Sequence, residues 1–237
     1  AVLNMVEYYV GADIFRQAVI AYVLEYKNKN ATLQDFVKHI EVASKKDLSA
    51  FFSSFLEQPG FPLLTLIRTE GKLLISQQPF GASGKDKNQD KMLWQVPLML
   101  MLITDDGVIK HNLFLNSKRT QLTIPQGVKA IFPDANAVGY YRYILPDEDE
   151  NYIKKNITRL NDSEKLAWLN NNEQLTKIAK RAYADVLSTK LALLSDSSLN
   201  IKIATDIIID IDDSYTSFIP EEISEEYSRY IAKHLSQ

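Results

Sequence analysis

Apolar side chains recur at helical spacing through the first 58 residues of the chain. The pattern predicts a helix from the first residues, followed by a second helix that Gly11 and Asp13 introduce. Thr32 and Asp35 resemble a capping box at the start of the next helix. Asp47 is predicted to cap the last helix of this series. The N-terminal quarter of the chain is therefore expected to be helical.

The period of the pattern changes to two after Pro62, which indicates β-strands. Trp94, Val96, Leu98, Leu100 and Leu102 are predicted to trace one face of a central strand, with Pro97 on the other face at an edge or bulge near the strand's start. Further strands are predicted at 64–68, 72–77, 108–115, 120–124, 128–132 and 135–143, and a mobile loop at 80–90. We expect residues 62–145 to form one small antiparallel β-sandwich.

Helical spacing returns after Pro146. The acidic run Asp147 to Glu150 is interpreted as surface charge at a helix start rather than as a cation site. Asn161 and Glu164 fit a capping box. One long amphipathic helix is predicted from Thr176 to Leu194, and its buried face is expected to hold Ile178, Ala182, Val186 and Leu187. Further helices are predicted at 200–211 and 221–235.

Composition limits the classes of protein to consider. With 237 residues, the chain is long enough for two or three compact units, and 46% hydrophobic residues exclude a disordered protein. A net charge of −3 gives no reason to expect nucleic acid or a membrane as a partner. The absence of cysteine excludes disulfides and thiolate chemistry. The longest apolar run, Val96 to Ile103, is too short to span a bilayer, so we expect a soluble protein, either cytoplasmic or periplasmic.

Candidate catalytic and metal-binding residues are few. Zinc hydrolysis requires two histidines one helical turn apart, but the histidines here, His39, His111 and His234, lie in three different segments. Residues 81–84, Gly-Ala-Ser-Gly, do not form the G-x-S-x-G elbow of serine hydrolases. Asp210, Asp212, Ser214 and Glu221 imitate a calcium loop, but Tyr215 occupies the position that needs glycine. The sequence therefore predicts neither catalytic residues nor metal ligands in this chain, and it leaves the substrate-binding residues unknown.

Two tyrosine pairs, Tyr8-Tyr9 and Tyr140-Tyr141, could form an aromatic binding strip. Paired aromatic residues at helical or alternating spacing are more often packing residues whose hydroxyl groups are hydrogen-bonded. We therefore interpret both pairs as packing residues.

Three segments resemble the end of the catalytic domain in M1-family zinc aminopeptidases. They are Gly11 to Arg16 (GADIFR), Asn30 to Phe36 (NATLQDF) and Phe55 to Pro62 (FLEQPGFP), with Phe55 where the family usually has tryptophan. Further along, Ala135 to Tyr143 (ANAVGYYRY) resembles the closing strand of the family's β-sandwich, and the helix from Asn161 resembles one that begins the family's superhelical domain. The resemblance fades after about Glu173.

The resemblance implies an α+β multidomain protein with catalytic-domain helices at 1–61, a β-sandwich at 62–145 and the start of a C-terminal helical domain at 146–237. It also implies a parent enzyme that uses zinc to remove N-terminal residues from peptides, whereas this chain lacks HExxH, would bind no cofactor itself and would contribute structural and cavity-closing modules. The alternative is a non-catalytic scaffold for protein interactions.

The chain opens on apolar residues without a helix cap, which leads us to expect that it was cut from a longer protein just after the active site. Apolar residues of the first helices would then lack their original partners, and we expect them to be covered either by self-association or by a movement of the first helix. They are Val2, Leu3, Val6, Val10, Phe15, Val19, Phe36 and Phe52.

Overall fold

A computed structural model describes residues 1–81 and 91–235 of the chain and divides it into two compact units, Ala1–Pro146 and Asp147–Gln237. The first unit opens with helices and continues with strands. Its helices are α1 (Val2–Val10), α2 (Ala12–Glu25), α3 (Leu33–Ser44) and α4 (Ser49–Leu56). α1 and α2 meet at Gly11, whose φ of 97° suits a residue without a side chain.

Local side-chain chemistry defines where α3 and α4 begin. The predicted capping box is confirmed, because the Thr32 side chain accepts from the Asp35 amide and the Asp35 carboxylate accepts from the Thr32 amide. The predicted cap at Asp47 is wrong by one residue. α4 begins at Ser49 after Leu48, and Asp47 only accepts a hydrogen bond from the Ser49 amide.

The exposed N-terminal surface is smaller than expected. Leu3 is 46% exposed, but Val6 and Val10 are buried within this chain. Phe52 is likewise buried, and Phe15, Val19 and Phe36 are half-buried. The most exposed apolar side chains of these helices are Val42 on α3, at 72%, and Leu24 on α2, at 70%.

The strands of the first unit form two sheets. They are β1 (Pro62–Thr69), β2 (Lys72–Pro79), β3 (Val96–Thr104), β4 (Gly107–Leu115), β5 (Arg119–Thr123), β6 (Ala130–Phe132) and β7 (Arg142–Ile144). One sheet has the order β5-β2-β1-β7 and the other β4-β3-β6. The two sheets meet where the rings of Phe132 and Tyr143 lie 5.8 Å apart in an edge-to-face contact.

β3 is buried on both faces over most of its length. Val96, Leu98, Leu100 and Leu102 lie on one buried face as predicted, and Trp94 is buried just before the strand. Pro97 pairs only with β4, because β6 reaches β3 no earlier than Met101. Pro97 therefore lies at a locally open edge, where its missing N–H costs no ladder bond.

Two sequence predictions for this region need correction, and a third lies largely outside the described residues. The expected closing strand at 135–143 is a strand only at Arg142–Ile144, because Asn136 and Ala137 adopt left-handed φ angles of 61° and 56° in a short 3₁₀ turn. β7 runs parallel to β1, so the first sheet is mixed rather than antiparallel. Of the predicted loop at 80–90, residues 82–90 lie outside the described residues.

The second unit is helical. Its helices are α5 (Asp147–Lys155), α6 (Asp162–Lys177), α7 (Tyr183–Leu194), α8 (Ile201–Phe218) and α9 (Glu221–Leu235). The predicted Asn161/Glu164 capping box is confirmed. α8 buries Ile203, Ile207 and Ile211 along one stripe. No helix within the described ranges has the length and apolarity needed to cross a membrane. The chain as a whole has an α+β fold.

The predicted single helix from Thr176 to Leu194 is wrong. α6 ends at Lys177, where Ala179 takes a left-handed φ of 54° and the Lys180 amide donates to the Leu175 oxygen. Val186 and Leu187 are buried in α7 as expected. Ile178 is only half-buried and Ala182 is exposed, because both lie in the break between the two helices.

Candidate functional site

The histidines lie in three different elements. In α3, His39 Nδ1 is 2.7 Å from the Asp35 backbone oxygen, and Nε2 is 3.0 Å from a Glu25 carboxylate oxygen. His111 is half-buried in β4, and His234 lies in α9, where its side chain is not described. Within residues 1–81 and 91–235, no three His, Cys, Asp or Glu side chains are grouped so that they could hold a metal ion. The described residues therefore do not fit a zinc site.

An aromatic cluster surrounds His39 between α2 and α3. The rings of Tyr22 on α2 and Tyr26 just after its end lie 5.7 and 5.9 Å from the His39 ring. Tyr22 also meets Phe36 edge-on at 5.2 Å. A hydrogen bond with the Asp35 carboxylate raises the pKa of Tyr26 to about 12. Both ring nitrogens of His39 are engaged, so the geometry favours a packing role that joins the two helices.

Three residues of helix α1 contact the strand region, two through hydrogen bonds and one through its aromatic ring. The Asn136 amide donates to the hydroxyl of Tyr8. The Tyr140 amide donates to the sulfur of Met5 over 3.2 Å. The ring of Tyr9 lies 5.1 Å from that of Phe114 in β4. α1 therefore reaches both β4 and the turn before β7.

Lys46 also contacts Tyr9, through both its backbone and its ring. Its Nζ donates to the Tyr9 backbone oxygen at 2.7 Å and lies 3.7 Å above the centre of the Tyr9 ring. Burial lowers the pKa of the Lys46 ammonium.

The second tyrosine pair is also a packing feature. The buried Tyr141 donates its hydroxyl hydrogen to the Pro133 oxygen at 2.6 Å, and burial raises its pKa well above the usual value. Tyr140 lies against Phe61 and Phe55, at 5.4 and 6.1 Å between ring centres. These contacts support the interpretation of the tyrosines as packing residues, although Tyr140 remains 36% exposed.

Gln58 links helix α4 to the segment that precedes β3. Its Nε2 donates to the backbone oxygens of Ser54 and Leu93, at 2.6 and 3.0 Å. The Ser54 hydroxyl in turn accepts from the Gln95 amide at 3.1 Å. The Gln-Pro-Gly-Phe junction thus ties α4 to the segment that leads into β3.

The acidic run at the start of α5 is only in part surface charge: Asp147 and Glu148 are exposed as expected, whereas the next two residues are not. Asp149 and Glu150 are buried, and Glu150 forms a two-pronged ion pair with Arg181 and a longer one, at 3.7 Å, with Lys154. Arg181 lies in the break between α6 and α7. The sequence offers no local signal for this pair, because the partners are 31 residues apart.

Two further buried lysines were not predicted. Lys165 donates to Asp196 at 2.6 Å, and hydrogen bonds from Lys165 and Ser198 lower the pKa of Asp196 although burial alone would raise it. Lys190 pairs with Asp210 and lies 3.3 Å from Glu173. These pairs link the helices of the second unit, and each cation has a carboxylate partner.

The remaining candidates do not form sites. Asp210, Asp212 and Ser214 lie along helix α8 rather than in a loop, so they cannot surround a calcium ion in the manner of a calcium loop. Of the Gly-Ala-Ser-Gly segment, only Gly81 is described, and Ser83 lies outside the described residues.

Comparison with known proteins gives the relationships of the chain. Residues 1–55 match the sequence model described as the peptidase family M1 domain. Leucyl aminopeptidase of Saccharolobus solfataricus is 24% identical over 160 residues, 68% of this chain and 20% of that protein. Tricorn protease-interacting factor F2 of Thermoplasma volcanium is 25% identical over 178 residues, 72% of this chain and 20% of that protein.

Endoplasmic reticulum aminopeptidase 1 of Homo sapiens is 27% identical over 232 residues, 84% of this chain and 24% of that protein. The chain thus spans about a fifth to a quarter of the length of the relatives it matches. Both comparisons confirm the relationship with the M1 family of aminopeptidases that the sequence motifs predict.

Proposed function

We propose that this chain is the part of a zinc-dependent M1 aminopeptidase that follows the HExxH metal site, in an enzyme that removes N-terminal residues from peptides. The observation that carries the proposal is the extent of the similarity. Only residues 1–55 match the peptidase domain, yet the alignments to aminopeptidases cover 68–84% of the chain. Alignments of this length must extend beyond residue 55, which supports a relationship that is not confined to the peptidase domain.

In this proposal the chain has three modules: catalytic-domain helices at 1–61, a β-sandwich at 62–145 and the beginning of a helical domain at 146–237. The contacts of Gln58 and of α1 support a structural role, because they hold the helices firmly against the strands. Zinc would be bound outside this chain, since the described residues offer no suitable group of ligands. The modules would support the catalytic domain and help close its substrate cavity.

A chimera tests the proposal. The segment of the Saccharolobus solfataricus leucyl aminopeptidase that aligns with this chain is replaced by the chain itself. We expect the chimera to hydrolyse leucine p-nitroanilide and to retain zinc. A chimera that melts and elutes like the parent enzyme and keeps its zinc, but has lost its activity, would contradict the proposed supporting role.

The coding sequence upstream of Ala1 gives an independent test. We expect it to encode HExxH, a later glutamate and a Tyr-x-Lys-Gly segment that runs into Ala1. An initiator codon directly before Ala1 would instead favour a non-catalytic interaction scaffold.

We also propose that the isolated chain self-associates through the N-terminal helices. Leu3 on α1 is 46% exposed, and Ile20, Val23 and Leu24 on α2 are 52–70% exposed. Light scattering over a concentration series should show an oligomer that Leu3→Asp weakens. Ile67→Asp is the matched control, because Ile67 is 48% exposed but lies on β1. A monomer at all concentrations would exclude this association.

A further inference from the structure

His39 lies on α3 with both of its ring nitrogens close to oxygen atoms. Nδ1 is 2.7 Å from the backbone oxygen of Asp35, and Nε2 is 3.0 Å from a carboxylate oxygen of Glu25, the last residue of α2. The side chain of His39 is only 14% exposed, whereas that of Glu25 is 58% exposed. A ring this shielded from water depends on the two oxygens for its hydrogen bonds.

Neither of these oxygens can donate a hydrogen bond to the ring. A backbone carbonyl and an ionised carboxylate only accept, so each contact requires an N–H group on the histidine. A neutral imidazole carries one N–H group, and the doubly protonated imidazolium carries two. Only the charged form of His39 therefore satisfies both contacts. In the neutral form, a nitrogen lone pair faces an oxygen lone pair.

Three further titratable side chains face the imidazole: Tyr22 on α2, Tyr26 just after its end and Asp35 on α3. The Asp35 carboxylate accepts hydrogen bonds from Thr32 and then from Tyr26, which lower its pKa. The two tyrosine rings stand nearly perpendicular to the imidazole. The contact that depends on the second proton of the ring is therefore the one with Glu25.

We propose that His39 is a proton-dependent link between α2 and α3, which binds Glu25 when the ring is charged and releases it when the ring is neutral. Imidazole is the side chain that ordinarily gains and loses its proton between about pH 5 and 8. The proton comes from the solvent and forms an N–H bond at Nε2, and no other bond changes. Because Glu25 ends α2, its release frees that end of the helix. The proposal does not rest on the peptidase assignment.

Hydrogen exchange of the full chain tests the link. It is measured by NMR at about pH 5.5 and about pH 8, and each rate is divided by the intrinsic rate at that pH. The amide of Tyr26, which donates to the Tyr22 oxygen at 3.0 Å, reports on the end of α2. We expect its protection factor to fall about threefold at the higher pH, a size typical of a partly exposed ion pair. The ¹⁵N signals of the His39 ring give its charge in the same samples.

Glu25→Gln is the decisive variant, because a glutamine amide can both donate and accept a hydrogen bond. It can donate to a neutral Nε2 and accept from a protonated one, so the contact persists at both pH values. We therefore expect the protection of the Tyr26 amide in this variant to be the same at both. Glu7→Gln is the matched control, since it removes an exposed carboxylate from α1 and should keep the threefold change.

Three results would overturn the proposal. A threefold change that persists in Glu25→Gln would assign the pH dependence to another group. Constant protection of the Tyr26 amide, while the His39 ring loses its charge, would show that the contact does not need the second proton. A His39 ring whose charge is the same at both pH values could not act as the sensor. His39→Phe keeps an aromatic ring without nitrogen, so we expect low protection of this amide at both pH values.

Discussion

Gln77 and the backbone of Trp94 satisfy each other's hydrogen-bonding groups. The Gln77 Oε1 accepts from the Trp94 amide and Nε2 donates to the Trp94 oxygen, both at 2.9 Å, and Nε2 also reaches the Ser117 oxygen at 3.0 Å. Gln77 belongs to β2, whereas Trp94 leads into β3. A single buried side chain thus joins the two sheets.

Gln77→Leu should destabilise the chain by about 2–4 kcal/mol, because it leaves buried backbone groups without partners. Urea unfolding gives the change in free energy. The matched control is Gln78→Leu, since Gln78 is exposed on the neighbouring position and should shift the midpoint little. Similar midpoints for the two variants would show that the Gln77 bonds contribute nothing.

Arg181→Met should lower the free energy of unfolding by about 3 kcal/mol, because the buried Glu150 then loses its main cationic partner. Arg229→Met removes an exposed pair with Glu225 and should cost at most about 0.5 kcal/mol. The double variant Glu150→Leu, Arg181→Met should regain most of the stability that Arg181→Met loses, because it no longer contains an unpaired buried carboxylate. Thermal or urea unfolding of the four proteins tests this, and equal costs at positions 181 and 229 would contradict it.

Gly139→Ala should destabilise the first unit by about 2 kcal/mol. A Cβ at this position would lie 2.4 Å from the ring of Tyr141, which is buried and hydrogen-bonded. The additional substitution Tyr141→Ala should remove most of the added cost, because it removes the atoms that collide. If the destabilisation in the double variant equals the sum of the two single effects, the glycine is needed for a reason other than this collision.

Lowering the pH should destabilise the start of α3, where Asp35 forms the capping box with Thr32. The hydrogen bond from the Thr32 amide, together with that from the Thr32 hydroxyl, lowers the pKa of Asp35 below its usual 3.8. A lowered pKa in the folded state gives stability that is present above pH 3.8 and is lost as the pH falls through the folded pKa. Wild type and Asp35→Asn should therefore differ in stability at pH 7, and the difference should shrink as the pH falls from 3.8 through the folded pKa. A stability difference between the two proteins that stays constant over this pH range would contradict this prediction.

The isolated chain should neither retain zinc nor hydrolyse amino-acid p-nitroanilides. The described residues lack a ligand set that would hold the metal through dialysis. Metal analysis after dialysis, and assays with and without added zinc, give the result. Turnover that survives purification and is abolished by a chelator would refute the proposal that zinc binds elsewhere.

Local chemistry was predictable from the sequence and long-range contacts were not. The capping boxes at Thr32 and Asn161 follow from residues three positions apart, so both were predicted correctly. The break after Lys177 depends on a left-handed Ala179, and alanine is otherwise the best helix former. The burial of Glu150 depends on Arg181, which no local pattern connects to it.

The parallel pairing of β7 with β1 has a consequence for synthesis on the ribosome. Leu64 pairs with Tyr143, so about 80 residues separate the partners. β1 can acquire this neighbour only after β7 has emerged, and pairings of such long range form slowly. Until then one edge of β1, with Leu63 and Leu64, is open to other strands. The nascent chain is therefore most prone to aggregate in the interval between the emergence of β1 and that of Ile144.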